Sequence, residues 1–299
     1  MRKKQGLLML ICCAVFVASM AVSFSAFAAT RNVPGSYASF FDAITAANTG
    51  DTVLAAPGTY TETDISFQGK AITVACDGNP GDCTIDCGPA VGTYAFTFTN
   101  GEGPGSLLTG FAIEHADDAG ILCNGSSPTI TDCLMQYTFD SICGGIESYD
   151  SSPTMSGCTI QYNSASWAGG GCFSGGSPII SECVVSDNDG DDVGGMLFEN
   201  SSPTITDCTF TLNEGTGIGP DPVAGGILCK GGSPVISGST ITYNEGISSG
   251  GIHCQDSGAS PTITDCTVTN NTGNRGGIGF TDTSGTISDC TLVNNTGDG

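Results

Sequence analysis

Ser127-Pro128-Thr129-Ile130-Thr131-Asp132-Cys133 returns as Ser152-Pro153-Thr154-Met155-Ser156-Gly157-Cys158, and its pattern recurs at Pro178, Pro203, Pro234 and Pro261. A last copy has Gly285 in the proline's place, so the steps are 25, 25, 25, 31, 27 and 24 residues. A degenerate copy begins earlier, at Ser106, and the 31-residue step carries an insertion over 216–223 with Pro220 and Pro222. A fixed period of this size is the mark of a solenoid. Within each copy, apolar and polar residues alternate with period two, which predicts strands rather than helices. Two residues past the proline stands the column Ile130, Met155, Ile180, Ile205, Ile236, Ile263, Ile287. Seven past it stands Met135, Ile160, Val185, Phe210, Ile241, Val268, Leu292. One copy has too little apolar surface to fold alone, whereas stacked copies share a continuous interior. In-register parallel strands, ~4.8 Å apart, satisfy both the columns and the backbone.

Three further columns describe what joins the strands. Four past the proline the chain reads Gly110, Asp132, Gly157, Glu182, Asp207, Gly238, Asp265, Asp289. Glycine and aspartate tolerate the left-handed conformation of a sharp bend, and Glu182 is the exception. Five past it come Cys133, Cys158, Cys183, Cys208, Ser239, Cys266 and Cys290. Stacked in this way they suit either disulfides between adjacent turns, Cys133 with Cys158 for example, or a buried ladder of thiols. Ten past it stand Asn163, Asn188, Asn213, Asn244, Asn271 and Asn295. Asparagines at one level of every turn can bond the turns above and below. Another strand follows Gly-Gly pairs, as in Gly225-Gly226-Ile227-Leu228-Cys229 and Gly250-Gly251-Ile252-His253-Cys254.

Composition agrees with this picture and narrows the partners. Of 299 residues 45 are glycine, only 12% are charged, and 30 acidic side chains face 7 basic ones. Such a chain lacks the charged faces of surface helices, and its net charge of −23 argues against a nucleic-acid partner. Residues 1–28 look like an export leader: Arg2, Lys3 and Lys4, then an apolar run from Gly6 to Val22, then Ala26-Phe27-Ala28 as the cleavage signal. Ile11 before Cys12 does not suit a lipoprotein. Removal of the leader leaves four basic side chains against all 30 acids, a charge of −26. No later stretch is apolar enough to span a bilayer, so the expected place is outside the cell or on its surface, where cysteines can be oxidised. Cys76, Cys83 and Cys87 share a polar loop where a disulfide is expected.

With these repeats in hand, residues 30–299 resemble the right-handed parallel β-helix proteins of the pectin-lyase-like superfamily. The Gly-Gly-Ile and Ser-Pro-Thr-Ile-x-x-Cys-Thr turns are most similar to that superfamily's secreted bacterial repeat proteins. Phe210-Thr211-Leu212-Asn213 is also similar to a repeat of polymorphic outer-membrane proteins. The resemblance implies a short capping helix over about 37–48, with Asp51-Thr52-Val53-Leu54 as the first strand and Ala56-Pro57-Gly58-Thr59-Tyr60 as its turn. Regular turns occupy about 106–299 and end at Asn295-Thr296-Gly297-Asp298-Gly299 without a cap. That end is expected either to continue in a longer chain or to dock on another chain, a second copy included.

Candidate chemistry is sparse. Asp187-Asn188-Asp189-Gly190-Asp191-Asp192 holds four carboxylates in six residues, and oxygen ligands around a glycine suit calcium, although no EF-hand pattern is present. Gly190-Asp191-Asp192 also resembles the Gly-Asp-Asp of β-helical polygalacturonases, whose Gly-His-Gly and Arg-Ile-Lys motifs are missing from this chain. The resemblance to pectate lyases asks for a lysine or arginine base beside calcium, and the regular turns offer Lys230 and Arg275. Lys230 stands one turn beyond Glu199 and is expected to pair with it. On the Gly-Gly-Ile strand the outward column Leu122, Glu147, Cys172, Leu197, Leu228, His253 is apolar enough to serve as an exposed binding face, or to lie under an inserted loop. Thr209/Thr211, Thr240/Thr242 and Thr267/Thr269 form a regular outward grid of the kind found in ice-binding β-helices. The expectation is therefore an exported, acidic, single-domain β-helix that needs no cofactor and binds a polysaccharide or a cell-envelope partner without turning it over. The alternative is a calcium-dependent lyase or glycoside hydrolase acting on acidic polysaccharide, and a third reading is ice binding.

Overall fold

The computed structural model describes residues 28–297 apart from Ala90, Asp140, Gly219, Pro220 and Ser257. Nearly all of the predicted leader, the centre of the inserted loop and the final Asp298-Gly299 lie outside the described residues. Among these residues the chain winds into a parallel β-solenoid of four sheets running along one axis. The proline sheet has 11 strands, from Thr30–Val33 through Thr129–Thr131 to Thr286–Ser288. The threonine sheet has ten, from Gly58–Tyr60 to Thr291–Val293, and the glycine sheet nine, from Ile65–Ser66 to Ile278–Thr281. A fourth, the cover sheet, has five short strands from Ser141–Cys143 to Glu245–Gly246. Each strand pairs in parallel with its equivalents one turn away, as Ile130 does with Met155 and Met155 with Ile180. Eleven strands at ~4.8 Å make a rod about 50 Å long.

The two apolar columns point inward as the period-two pattern requires. Ile130, Met155, Ile180, Ile205, Ile236 and Ile263 are fully buried, and Ile287, in the last turn, is 41% exposed. The bends follow the glycine-aspartate column, with φ between 52° and 83° from Gly110 to Asp289, and Glu182 adopts the same conformation at 54°. Two other corners in each turn are also left-handed. One falls at Tyr137, Tyr162, Asp187, Leu212, Tyr243 and Asn270, the other at Asp150, Gly175, Asn200, Gly231 and Asp256. Bulky residues at φ near 57° cost about 1–2 kcal/mol each relative to glycine, and the stacked turns hold them there.

The asparagine column is a continuous ladder. Asn188 Nδ2 donates to Asn213 Oδ1 at 3.0 Å and to the Ile160 carbonyl at 3.0 Å, while the backbone N–H of Asn188 donates to the same Asn213 oxygen. Asn163, Asn213, Asn244 and Asn271 repeat this geometry. The cysteine column is a thiol ladder. Cys183, Cys208 and Cys266 each donate from Sγ to the carbonyl two residues earlier at 3.2 Å, and Ser239 Oγ makes the equivalent bond at 3.0 Å. These thiols are free, so the inter-turn bridge expected as one alternative, Cys133 to Cys158, does not form. Burial pushes Cys133 up to about 12, and bonding to Cys158 together with burial does the same for Cys183, which makes both poor nucleophiles. In the polar loop Cys76 is bridged to Cys83 and Cys87 stays free.

The N-terminal plug differs in one respect from the sequence reading. The first strand is Thr30–Val33, pairing with Thr52–Ala55, so the strand expected first is second. Between them the helix Phe40–Ala46 closes the coil. Ser39 Oγ accepts from the N–H of Asp42, and the Glu62 carboxylate accepts from those of Phe40 and Phe41. Phe40 lies edge-on to Tyr60, Phe96 and Phe111 and thereby joins the helix to the interior.

Candidate functional site

The outward column of the glycine sheet is not an exposed face. Glu147 is 6% exposed, Cys172 5%, Leu197 1%, and Leu228 and His253 are fully buried, with only Leu122 partly open. The segment between each ladder asparagine and the following Gly-Gly pair folds back over this column, and these segments pair with one another as the cover sheet. Ala168, Val193 and Ala224 then pack on Cys172, Leu197 and Leu228 in a second core, crossed by the Cys143–Cys172 disulfide. The covering alternative therefore holds over the exposed-face one. The Gly-Gly pairs allow it, because a Cβ on Gly195 would stand 2.0 Å from the Gly226 carbonyl and one on Gly169 2.5 Å from that of Asp189.

Polar members of the buried column have dedicated partners. Glu147 accepts hydrogen bonds from the hydroxyls of Tyr94, at 2.7 Å, and Tyr149. Burial, and then the Glu147 carboxylate, holds both phenols well above their ordinary range. Nearby Asp118 is shifted upward by burial and by Glu147, Asp117 and Asp64. His253 lies between Ser249 Oγ at 2.9 Å and Thr281 Oγ1 at 3.3 Å, and burial followed by Arg275 lowers it to about 4.

Beside the ends of three adjacent glycine-sheet strands lies a pocket of about 170 Å³ lined by Tyr149, Trp167, Cys172, Phe173, Ser174, Leu197 and Glu199. Trp167, the chain's single tryptophan, comes from the cover strand Ser164–Ala168 and is 44% exposed. Glu199 is in register with Lys230, as expected, yet Lys230 Nζ lies 4.0 Å from Glu199 and only 2.9 Å from Asp192. A larger groove of about 500 Å³ lies on the outside of the cover sheet near the last turns, with Glu214 and Glu245 stacked in its lining.

The acidic run is dispersed around its turn. Asp187 occupies a left-handed corner, Asn188 belongs to the buried ladder, Asp189 is outward on the cover sheet, and Asp192 holds Lys230. Asp189 accepts from Thr216 Oγ1, and Asp191 is exposed. The expected ligand set Asp187, Asp189, Asp191, Asp192 is thus not gathered, and among the described residues no three His, Cys, Asp or Glu side chains converge as a metal site. Calcium takes six to eight oxygens, so this run does not fit it as a site. Of the two acids of the Gly-Asp-Asp run, Asp192 is engaged by Lys230 and Asp191 is exposed. Arg275 is exposed at the far end, beside His253 rather than beside a carboxylate cluster.

Comparison with known proteins agrees with this architecture. Residues 106–222 match the family model described as "Right handed beta helix region". The crystal structure of pectate lyase Pel9A superposes with a TM-score of 0.55 at 18% identity, over 84% of this chain and 72% of that one. The chain folds as a right-handed parallel β-helix. At that identity the likeness concerns the β-helix itself and not an activity. Comparison with curated protein sequences gives no match.

The β-helix also brings together residues that the sequence did not single out. Tyr149 and Trp167 are 18 positions apart and occupy no repeated column that both share. A sole tryptophan in an otherwise small-residue segment was the one available signal. Exposed Tyr137 and Tyr162 stack at 5.8 Å on a left-handed corner, with His115 6.0 Å from Tyr137 and bonded to Asp86 at 2.9 Å.

Proposed function

We propose that the protein is an exported, non-catalytic β-helix that binds a glycan in the groove walled by Tyr149 and Trp167. The observation that carries this reading is the pocket itself: two aromatic side chains, an apolar floor at Leu197 and a carboxylate at Glu199. Aromatic faces with one or two polar groups are the usual means of holding and orienting a sugar ring. A catalytic reading finds less support. Lys230, the base that a lyase would need, is engaged by Asp192 at 2.9 Å and lies 4.0 Å from Glu199 rather than standing free.

Trp167 provides the test, since no other tryptophan contributes to emission. Titration of residues 29–299 with a panel of oligosaccharides is expected to give a saturable fluorescence change that Tyr149→Ala abolishes. Incubation with polygalacturonate or alginate, with and without calcium, is expected to release neither unsaturated product nor new reducing ends. Turnover lost in Lys230→Ala or Asp192→Asn would put the calcium-dependent enzyme first.

A further inference from the structure

The charges around the pocket narrow the class of glycan. Its walls are the rings of Tyr149 and Trp167, and its floor is Leu197 beside the Cys143–Cys172 bridge. At the rim stands Glu199, whose single cationic neighbour, Lys230, sits closer to Asp192. Two turns below, Glu147 is clasped by Tyr94 and Tyr149. At this edge Asp192 and Glu199 share one ammonium, and Glu147 adds a buried carboxylate below them. The protein as a whole deepens that field, with 30 acidic side chains and 7 basic ones.

Three kinds of sugar substituent would fare differently here. A uronate would bring a carboxylate against Glu199 and against ring faces that carry negative quadrupole charge. A neutral hydroxyl can stack and bond but leaves most of the field unused. An ammonium group satisfies both surfaces, because the ring faces attract cations and Glu199 can accept a charge-assisted hydrogen bond over an apolar floor. A volume of about 170 Å³ holds one sugar unit rather than an oligosaccharide, so recognition falls on a single substituent at a time.

From this geometry we infer that the pocket takes the free amino group of an amino-sugar polymer, one that is not N-acetylated. The inference rests on the glycan-binding reading above and specifies its ligand. The fluorescence of Trp167 can be titrated with four tetramers: glucosamine, N-acetylglucosamine, galacturonate and lysine. Glucosamine tetramer is expected to bind at least tenfold more tightly than its acetylated form, and less tightly as salt rises. Glu199→Gln is expected to remove that preference without removing binding of the acetylated tetramer. Tyr149→Leu is expected to weaken both sugars, which separates the wall from the charge.

Equal affinity for the free and acetylated tetramers would overturn the ammonium assignment while leaving glycan binding intact. A preference for galacturonate would overturn it in the same way. Tighter binding of the lysine tetramer would keep the ammonium and overturn the sugar as its carrier. No fluorescence change and no calorimetric heat with any of the four would defeat both the inference and the reading beneath it. Since Glu199 also touches Lys230, the melting temperature of Glu199→Gln should be measured first. If that variant is unfolded, Glu199→Asp takes its place, with a weakened preference expected and an unchanged one counting against the proposal.

Discussion

The β-helix has two cores, and they are built by different rules. The interior core lies inside the coil, where every turn contributes the same columns and the asparagine ladder seals one corner. The second core lies outside the coil, between the glycine sheet and the cover sheet, and is assembled from Cys143, Ala168, Cys172, Val193, Leu197, Ala224 and Leu228. Interior positions repeat because each turn must pass the same closed cross-section. Cover positions vary because the segment above the glycine sheet need only shield it. That freedom lets one cover strand present Trp167, others present Asp189 and Glu214, and the same layer bury His253.

The largest expected effect belongs to the interior. Asn213→Ala would leave the Asn188 N–H without a partner, take one acceptor from Asn188 Nδ2 and remove a second donor from the Val185 carbonyl. At ~1–3 kcal/mol for each orphaned buried group, the loss of stability in urea unfolding should be about 4 kcal/mol. A loss under ~1 kcal/mol would mean that the ladder follows the fold rather than holding it.

Leu228→Ala tests the second core directly. If the cover sheet truly buries this residue, the variant should lose about 3 kcal/mol, in the range for a buried leucine. An exposed binding face would lose no more than ~0.5 kcal/mol, and such a result would break the comparison.

His253 supplies a pH-dependent version of the same test. Its folded value of about 4 lies below the ordinary 6.5, because burial and Arg275 disfavour the charged ring. The unfolded chain therefore takes up a proton first as pH falls. Stability held above pH ~6.5 is lost as pH falls toward 4, by about 2 kcal/mol at pH 5. Thermal melts of the wild type and of His253→Leu at pH 7 and pH 5 should show that the variant loses less. Equal losses would place the titrating group elsewhere.

Cys208→Ser should have the smallest effect, within ~1 kcal/mol, since Ser239 already fills the same column one turn later with the same bond to a carbonyl. A large loss would show that sulfur's bulk, rather than a small donor at the corner, is what the column requires.

Trp167 shows where reading the repeats stops being sufficient. The inward columns, the left-handed bends down to the exceptional Glu182 and the asparagine register could all be read from the chain, because each obeys a rule of spacing that every turn restates. Leu197 and Leu228 could be recognised as outward residues, but whether they met solvent or a covering segment depended on the path of the Ser164–Ala168 type of strand. That strand carries no apolar periodicity of its own.

The sequence by itself determined the coil: its period, the inward columns and the residues able to make its corners, since a stack of equal turns admits few ways of burying a period-two pattern. Only the tertiary structure decided the rest. It left Cys133 and Cys158 as free thiols while joining Cys143 to Cys172, and it gave Lys230 to Asp192 more closely than to Glu199. It also set Trp167 of one turn beside Tyr149 of another. These outcomes depend on how non-repeating segments overlap in space, and the overlap follows from the packing of whole turns rather than from any local spacing of residues.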